Sequence, residues 1–464
     1  MIRDCFAPLP DRPVLWDAAD GWHHGAALER RIAQVTPAFG RGSLVFLLCR
    51  NTADTVVAYL AAVRAGAAVA LLDPNRPPAE QAALRDRYGP DCIVGVGAGD
   101  ETPPGYRDRD CAGLRLWQRL PPGPPVHPDL CLLLATSGST GSPKFVRLSR
   151  RAVVGNAAAI AEVLGLDPAE RPLGHLALHY SYGLSVLNSH LAVGASLVLT
   201  EHGLTGRDAW DLCRTHACTS LAGVPAHYEL MRRLDLDAAT LPALRTLTQA
   251  GGKLAPQTAL LFHNRMAARG GRLFVMYGQT EAAPRMATLA PDRLAAKPES
   301  VGRALPGGRF EIRRADGGTA PIGEPGEVVY HGVNVMMGYA QERADLALGD
   351  RLGGVLATGD IGRLDAEGDL FITGRQSRFA KLFGLRVSLD DVEARLTPAF
   401  GRVAAIERDG KVVVHCCGEV APAAFHAALR GLGLPTAGFA LQRREALPLT
   451  ASGKIDYRRL GDMV

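Results

Sequence analysis

Between Ser43 and Asp73 the chain runs SLVFLLCRNTADTVVAYLAAVRAGAAVALLD, two apolar runs on either side of a stretch with apolar residues at helical spacing. The pattern predicts strand, helix, strand, with Gly66 as the helix stop. A strand returning beside its predecessor through a helix forms a parallel pair, and parallel sheets need helices over their faces. The alternation continues. A helix is expected over Pro78–Asp86 and a strand over Cys92–Val96. After a proline-rich stretch, residues 103–128, expected to wrap the surface as a connector, come a strand at Leu130 and a helix over Arg151–Leu164. Further strands are expected near Leu173, Ser196, Leu244 and Leu273, with helices between them.

From Gly302 the texture shifts to short strands and turns, as in a small barrel or antiparallel sheet. Gly374-Arg375-Gln376-Ser377 marks a boundary. Beyond it the pattern predicts a strand at Phe379–Lys381, a helix over Ser388–Leu396, a strand at Val412–His415 and a helix over Pro422–Leu432. The expected fold class is α/β: a large N-terminal domain of helix-flanked sheets with a barrel-like subdomain, residues 1–375, and a small α+β domain, residues 376–464.

Composition narrows the function. Of 464 residues 47% are hydrophobic and 21% charged, which suits a globular chain with ample core. A net charge of +5 without a basic run gives no reason to expect nucleic acid. The nine cysteines form no Cys-x-x-Cys pair and sit mostly in apolar runs, as small core residues of a reducing compartment. The amino terminus lacks the apolar region of a signal peptide and no run approaches a membrane span, so a cytoplasmic location is expected. Lysine occurs only six times among 52 basic residues, yet Lys144, Lys253, Lys381 and Lys454 all fall in the stretches singled out below. Where arginine is habitual, a kept lysine suggests a need for a compact ammonium.

The stretch Leu132–Ser149 passes from an apolar strand into Thr136-Ser137-Gly138-Ser139-Thr140-Gly141-Ser142-Pro143-Lys144 and then into a second apolar run. Small residues let backbone N–H groups and hydroxyls converge on an anion, and Lys144 adds charge, so phosphate binding is suggested. The glycine spacing differs from that of the common nucleotide loop, and a plain surface loop has similar composition. LFVMYGQTE, Leu273–Glu281, is an apolar strand ending in Tyr277, Gly278, Gln279, Thr280 and Glu281. Ligand sites in open parallel sheets lie at the carboxyl ends of strands. There Tyr277 suits a flat base, Thr280 a phosphate and Glu281 Mg²⁺, although an ordinary turn explains the same letters. Asp360, in a glycine turn, could accept from two ribose hydroxyls, with Arg375 completing the grip. Lys454, in LTASGKI, stands on a glycine-containing loop and could be swung onto reacting anions.

Taken in order, TSGSTGSPK, YGQTE, TGD, GDLFITGR and SGKI resemble the adenylate-forming superfamily of acyl-CoA synthetases, firefly-type luciferases and peptide-synthetase adenylation domains, over about Asn51 to Leu460. The resemblance implies attack of a carboxylic acid on the α-phosphate of ATP, release of pyrophosphate, and an acyl adenylate passed to coenzyme A or to the phosphopantetheine of an acyl or peptidyl carrier protein. Transfer to an amine, or a nucleotide-binding scaffold without turnover, are the alternatives. By similarity Thr136, Ser137, Gly138, Ser139, Thr140, Gly141 and Lys144 hold the leaving phosphates, and Thr140 and Glu281 lie at Mg²⁺. Gly251, Gly252, Tyr277, Gly278, Gln279 and Ile372 belong to the adenine and ribose site, with Asp360 and Arg375 on the ribose and Thr280 at the α-phosphate. Lys454 is implied as the adenylation lysine, with Ser377 at the hinge of a mobile lid and Lys381 and Gly384 on its thioester-forming face.

Three positions depart from the family pattern: Phe145 replaces a glycine, Arg150 stands where histidine is frequent, and Ser377 where Asp or Lys is usual. The stretch matching the fourth core motif, His179–Ser185, has no carboxylate to pair with an α-amino group, so an acid without one is expected. Tyr180, Tyr182, Ser185 and Ala283 are the candidate pocket residues, although core packing also accounts for the aromatics. Arg285 is expected to face outward, with pairing to a second substrate carboxylate as the alternative.

Overall fold

The structure, a computed structural model, describes residues 2–97, 99–135, 144–234, 241–375, 378–382, 385–408, 410–431, 436–450 and 453–463. The chain divides into two compact units, one of residues 1–309 with 331–356, the other of residues 310–330 with 357–464.

The first unit holds two large sheets. In one, the strands Leu44–Leu48 and Ala68–Leu72 pair in parallel, joined by the helix Ala53–Arg64, and Ala68–Leu72 pairs in parallel with Leu130–Ala135. Thr52 caps that helix through its side chain, and Ala65 and Gly66 end it. Every residue of the Ala68–Leu72 strand is buried, which explains an apolar run without alternation. The sheet ends in a hairpin, Tyr106–Cys111 with Leu114–Arg119, paired onto Cys92–Val94. This corrects the surface connector expected over residues 103–128. Leu114 and Leu116 are buried while the facing strand is mostly polar with none of its residues buried, as an edge hairpin requires, and the prolines are confined to its flanks.

The second sheet carries the parallel strands Ser220–Gly223, Thr246–Gln249 and Arg272–Gly278 side by side, flanked by Pro172–Gly174 on one side and by antiparallel Arg285–Leu289 on the other. A core containing Leu221, Leu247, Leu273, Tyr228, Phe262 and Trp210 fills one face.

In the second unit, the strands Gly326–His331, Val355–Leu364 and Leu370–Arg375 belong to a four-stranded sheet begun by Arg309–Arg313. After it come the hairpin Phe379–Leu382 with Leu385–Ser388 and a three-stranded sheet of Val403–Arg408, Lys411–Cys416 and Phe439–Arg443. The helices Leu389–Phe400 and Pro422–Gly431 contribute Val392, Leu396, Phe425 and Leu429 to its core. All nine cysteines are unpaired, and seven are buried. No helix among the described residues is long and apolar enough to cross a membrane.

Candidate functional site

The parallel strands of the second sheet share one carboxyl edge, and the candidate residues of the first unit gather there. Thr246–Gln249 leads into Gly251 and Gly252. Gly251 has φ +84°, a conformation that favours glycine, and Gln249 Nε2 donates to the Gly252 carbonyl at 2.8 Å. Arg272–Gly278 ends in half-buried Tyr277 and Gly278. A Cβ at Gly278 would lie 1.9 Å from the Pro284 carbonyl oxygen, so only glycine lets the returning chain pass this close. Gln279 leads into a single 3₁₀ turn, Thr280–Ala282, and Ala283 follows half-buried at φ +59°.

Across this edge, Leu130–Ala135 and Phe145–Ser149 run antiparallel and set Ala135 opposite Phe145. The candidate phosphate ligands Thr136, Ser137, Gly138, Ser139, Thr140 and Gly141 lie outside the described residues; Lys144 lies within them. Its Nζ sits 3.7 Å from the centre of the Tyr339 ring, a cation–π contact. The Tyr339 hydroxyl in turn donates to Glu281 Oε1 at 2.8 Å, and the Met336 N–H donates to the Glu281 carbonyl. Burial and the neighbouring Glu281 push the Tyr339 phenol well up, so it is a dependable donor. Tyr339 is held by the strand Gly338–Ala340, paired with Phe145–Ser149. No local sequence feature marks it, because that pairing joins segments almost two hundred residues apart. Phe145 packs against Phe46 and Tyr88 in the core, so the side chain that replaces glycine fills space away from Lys144. Arg150 pairs with Asp4 and lies over the Phe6 ring.

The helix Ser181–Ala192 begins after Tyr180, and Ser181 Oγ lies 3.2 Å from Thr280 Oγ1. Tyr180 and Tyr182 meet edge to face, and the Tyr182 hydroxyl donates to the Thr248 carbonyl at 2.9 Å. Burial pushes the Tyr180 phenol up to about 12. Ser185 Oγ donates to the Tyr182 carbonyl and accepts from Arg285 Nη2 at 3.2 Å. Arg285 therefore does not face outward, as expected from sequence. It is 3% exposed, with its guanidinium 3.9 Å from the centre of the Tyr182 ring. The strand Arg285–Leu289 turns back antiparallel to Arg272–Gly278 with a register shift at Gly278, and this carries the arginine inward. Burial presses the guanidinium below its usual range, while Tyr182 and Tyr180 oppose the shift.

In the second unit, Asp360 and Arg375 stand opposite each other on paired strands, with Arg375 Nε donating to Asp360 Oδ1 at 2.8 Å. The aspartate is buried and the arginine largely exposed. Ile372, half-buried, faces Gly362 in the same ladder. Lys454 is exposed on a tight turn where the Thr450 N–H donates to the Lys454 carbonyl at 2.8 Å and Leu449 bridges to Ile455. Lys381 belongs to the hairpin strand Phe379–Leu382, opposite Arg386. Gly384 and Ser377 lie outside the described residues.

The family model described as AMP-binding enzyme matches residues 9–340. Phosphinothricin tripeptide synthetase PhsC of Streptomyces viridochromogenes is 30% identical over 89% of this chain and 40% of its own length. The indoleacetate–CoA ligase of Aromatoleum aromaticum is 32% identical over 72% of this chain and 65% of its own. The chain thus spans less than two thirds of the curated relatives it matches. Among solved structures, o-succinylbenzoate CoA synthetase from Bacillus subtilis in complex with an acyl-adenylate intermediate superposes with a TM-score of 0.79 at 22% identity, over 97% of this chain and 95% of that one. ATP-bound MatB from Rhodopseudomonas palustris gives 0.80 at 22% identity, over 100% and 99%.

Proposed function

The chain belongs to the AMP-binding enzyme family, and from that premise we propose that it activates a carboxylic acid with ATP and passes the acyl group on as a thioester. An acid oxygen attacks the α-phosphorus, the bond between the α- and β-phosphates breaks, and pyrophosphate leaves with the displaced electron pair. Both reactants are anions, so the protein's work is positioning and offsetting charge. The observation that carries the reading is the linked array of Lys144, Tyr339 and Glu281 beside Thr280, a cation and a carboxylate fixed at the carboxyl edge of a parallel sheet.

In this reading Lys144 and the preceding loop hold the β- and γ-phosphates, and Thr280 contacts the α-phosphate. Glu281 keeps one carboxylate oxygen on Tyr339, and its hard oxygen donors fit Mg²⁺, with Thr140 as the second ligand. A magnesium ion held there supplies positive charge to the phosphates. Gly251, Gly252, Tyr277, Gly278, Gln279 and Ile372 serve adenine, and Asp360 with Arg375 the ribose hydroxyls. Lys454 bridges the carboxylate and the α-phosphate. Residues 1–375 form the substrate-holding part, and residues 376–464 move as a lid about Ser377, exchanging Lys454 for a face with Lys381 and Gly384. A thiol acceptor, coenzyme A or a carrier protein's phosphopantetheine, is supported by relatives that include a CoA ligase and a peptide synthetase.

Acid-dependent exchange of labelled pyrophosphate into ATP tests the reading across aryl, short-chain, long-chain and amino acids. We expect exchange with one acid class and its loss in Lys454→Ala. ATP binding without exchange on any acid would favour a non-catalytic scaffold. Assays of the active acid with coenzyme A, carrier protein and amines then separate thioester from amide formation.

A further inference from the structure

Arg285 lines a small cavity of about 20 Å³ in the first unit, together with Ser185, Ser189, His190, Ser220, Thr246 and Thr248 on an otherwise apolar wall. Three buried polar atoms on that wall have no hydrogen-bond partner: Arg285 Nε, Ser220 Oγ and His190 Nε2. Among the described residues no carboxylate lies within ion-pair distance of Arg285; its contacts are the Ser185 hydroxyl and the Tyr182 ring. A buried guanidinium with free donors is costly, and the ring offsets only part of that cost. A negatively charged acceptor would complement such a guanidinium best.

The helix Ser181–Ala192 sets the scale. Ser181, Ser185 and Ser189 recur every four residues and so share one face, about 6 Å apart along the axis. Ser181 touches Thr280 and Ser185 touches Arg285, so the proposed reacting end and the arginine are separated by about one helical turn. Resting on the adenylation reading above, we propose that the acid activated is a short dicarboxylate whose distal carboxylate docks on Arg285. A separation of about one turn suits a chain of roughly four to six carbons. At about 20 Å³ the cavity is too small for a ring or a long chain. Arg285 Nε and Ser220 supply donors. His190 Nδ1 lies 2.8 Å from the Val186 carbonyl and donates to it, which leaves Nε2 as an acceptor and confines a carboxylate to the Arg285 side. An ammonium group would meet the guanidinium with no acid to pair it, so amino acids are disfavoured here.

The test measures binding and exchange separately on the purified full chain. Isothermal titration is carried out with succinate, glutarate and adipate and with the monoamide of each, on wild type, Arg285→Lys and Arg285→Gln, alongside pyrophosphate exchange with the same acids. We expect one diacid to bind wild type about 100-fold more tightly than its monoamide. That ratio should fall towards unity in Arg285→Gln and recover in part in Arg285→Lys. Thermal unfolding verifies that each variant is folded, and a purely structural arginine would lower the melting temperature without moving the ratio. Diacid and monoamide binding alike in wild type, or a preference that survives in Arg285→Gln, overturns the inference even if monoacids support exchange. Arginine-dependent diacid binding without exchange upholds the pocket and counts against adenylation.

Discussion

Tyr339 couples a cation to an anion that lie far apart in the chain. Its ring face holds Lys144 at 3.7 Å and its hydroxyl holds Glu281 at 2.8 Å, so one side chain fixes both. The two contacts separate by substitution. Tyr339→Phe keeps a ring beneath Lys144 and removes the donor from Glu281, whereas Tyr339→Leu removes both. A hydrogen bond to a charged group contributes about 1.5–3 kcal/mol, so loss of the donor should leave Glu281 free to turn and raise the Mg²⁺ concentration for half-maximal exchange by roughly tenfold. The leucine variant should also raise the KM for ATP, because Lys144 loses its seat. Exchange kinetics over a magnesium series measure both, and identical magnesium dependence in wild type and Tyr339→Phe would detach Tyr339 from the site.

The tight turn that carries Lys454 is anchored from its C-terminal side. Tyr457 opens the helix Tyr457–Asp462, capped by the Asp456 side chain accepting from the Arg459 N–H, and Leu460 packs with Ala404 and Ile406. The Tyr457 ring lies 3.7 Å from the Arg378 guanidinium, and its hydroxyl donates to Glu393 Oε2 at 2.8 Å. Glu393 also accepts from Arg378 and from the Ala405 N–H, so ring, guanidinium and carboxylate tie the turn to the helix Leu389–Phe400. Tyr457→Phe should cost about 1–2 kcal/mol in this unit, because a buried carboxylate loses a donor. Hydrogen exchange at the Gly453 and Asp456 amides should quicken; unchanged protection would mean that the turn is held by its own backbone bonds. Elements like these were partly legible in the sequence. The strand–helix–strand of Leu44–Leu72 was readable because burial on both faces leaves an apolar run that no loop would carry, and the helix Pro422–Gly431 because its period is local. The hairpin Tyr106–Arg119 was not, since an edge strand with one exposed face is composed like a loop. The Asp360–Arg375 contact followed from two motifs on adjacent strands, whereas Tyr339 beside Glu281 and the inward turn of Arg285 depend on register between distant strands, which no local period encodes.

The larger unit holds one buried and two half-buried histidines whose protonated form their surroundings disfavour, and this ties the stability of the molecule to pH. His175 is pushed down to about 3 by burial and by the adjacent His227 ring, whose centre lies 5.3 Å away. Burial also lowers His179 and His190, against which Asp73 and Glu170 act only in part. In each case the folded state binds a proton less readily than the unfolded chain. Stability from these sites is therefore fully present above the unfolded histidine range near 6.5 and is lost as pH falls, for His175 through a window reaching down to about 3. Each such histidine adds a slope of about 1.4 kcal/mol per pH unit inside its window. Urea unfolding of the larger unit at pH 7.5, 6.5 and 5.5 should thus show a steep fall over the last step, before most carboxylates begin to titrate. His175→Phe keeps an aromatic ring and removes a buried Nε2 that has no partner, so it should change stability little at pH 7.5. The same variant should flatten the fall between pH 6.5 and 5.5 by about 1 kcal/mol. An unaltered slope would show that the His175 imidazole takes up its proton as readily in the folded chain as in the unfolded one, and would assign the acid sensitivity to other groups.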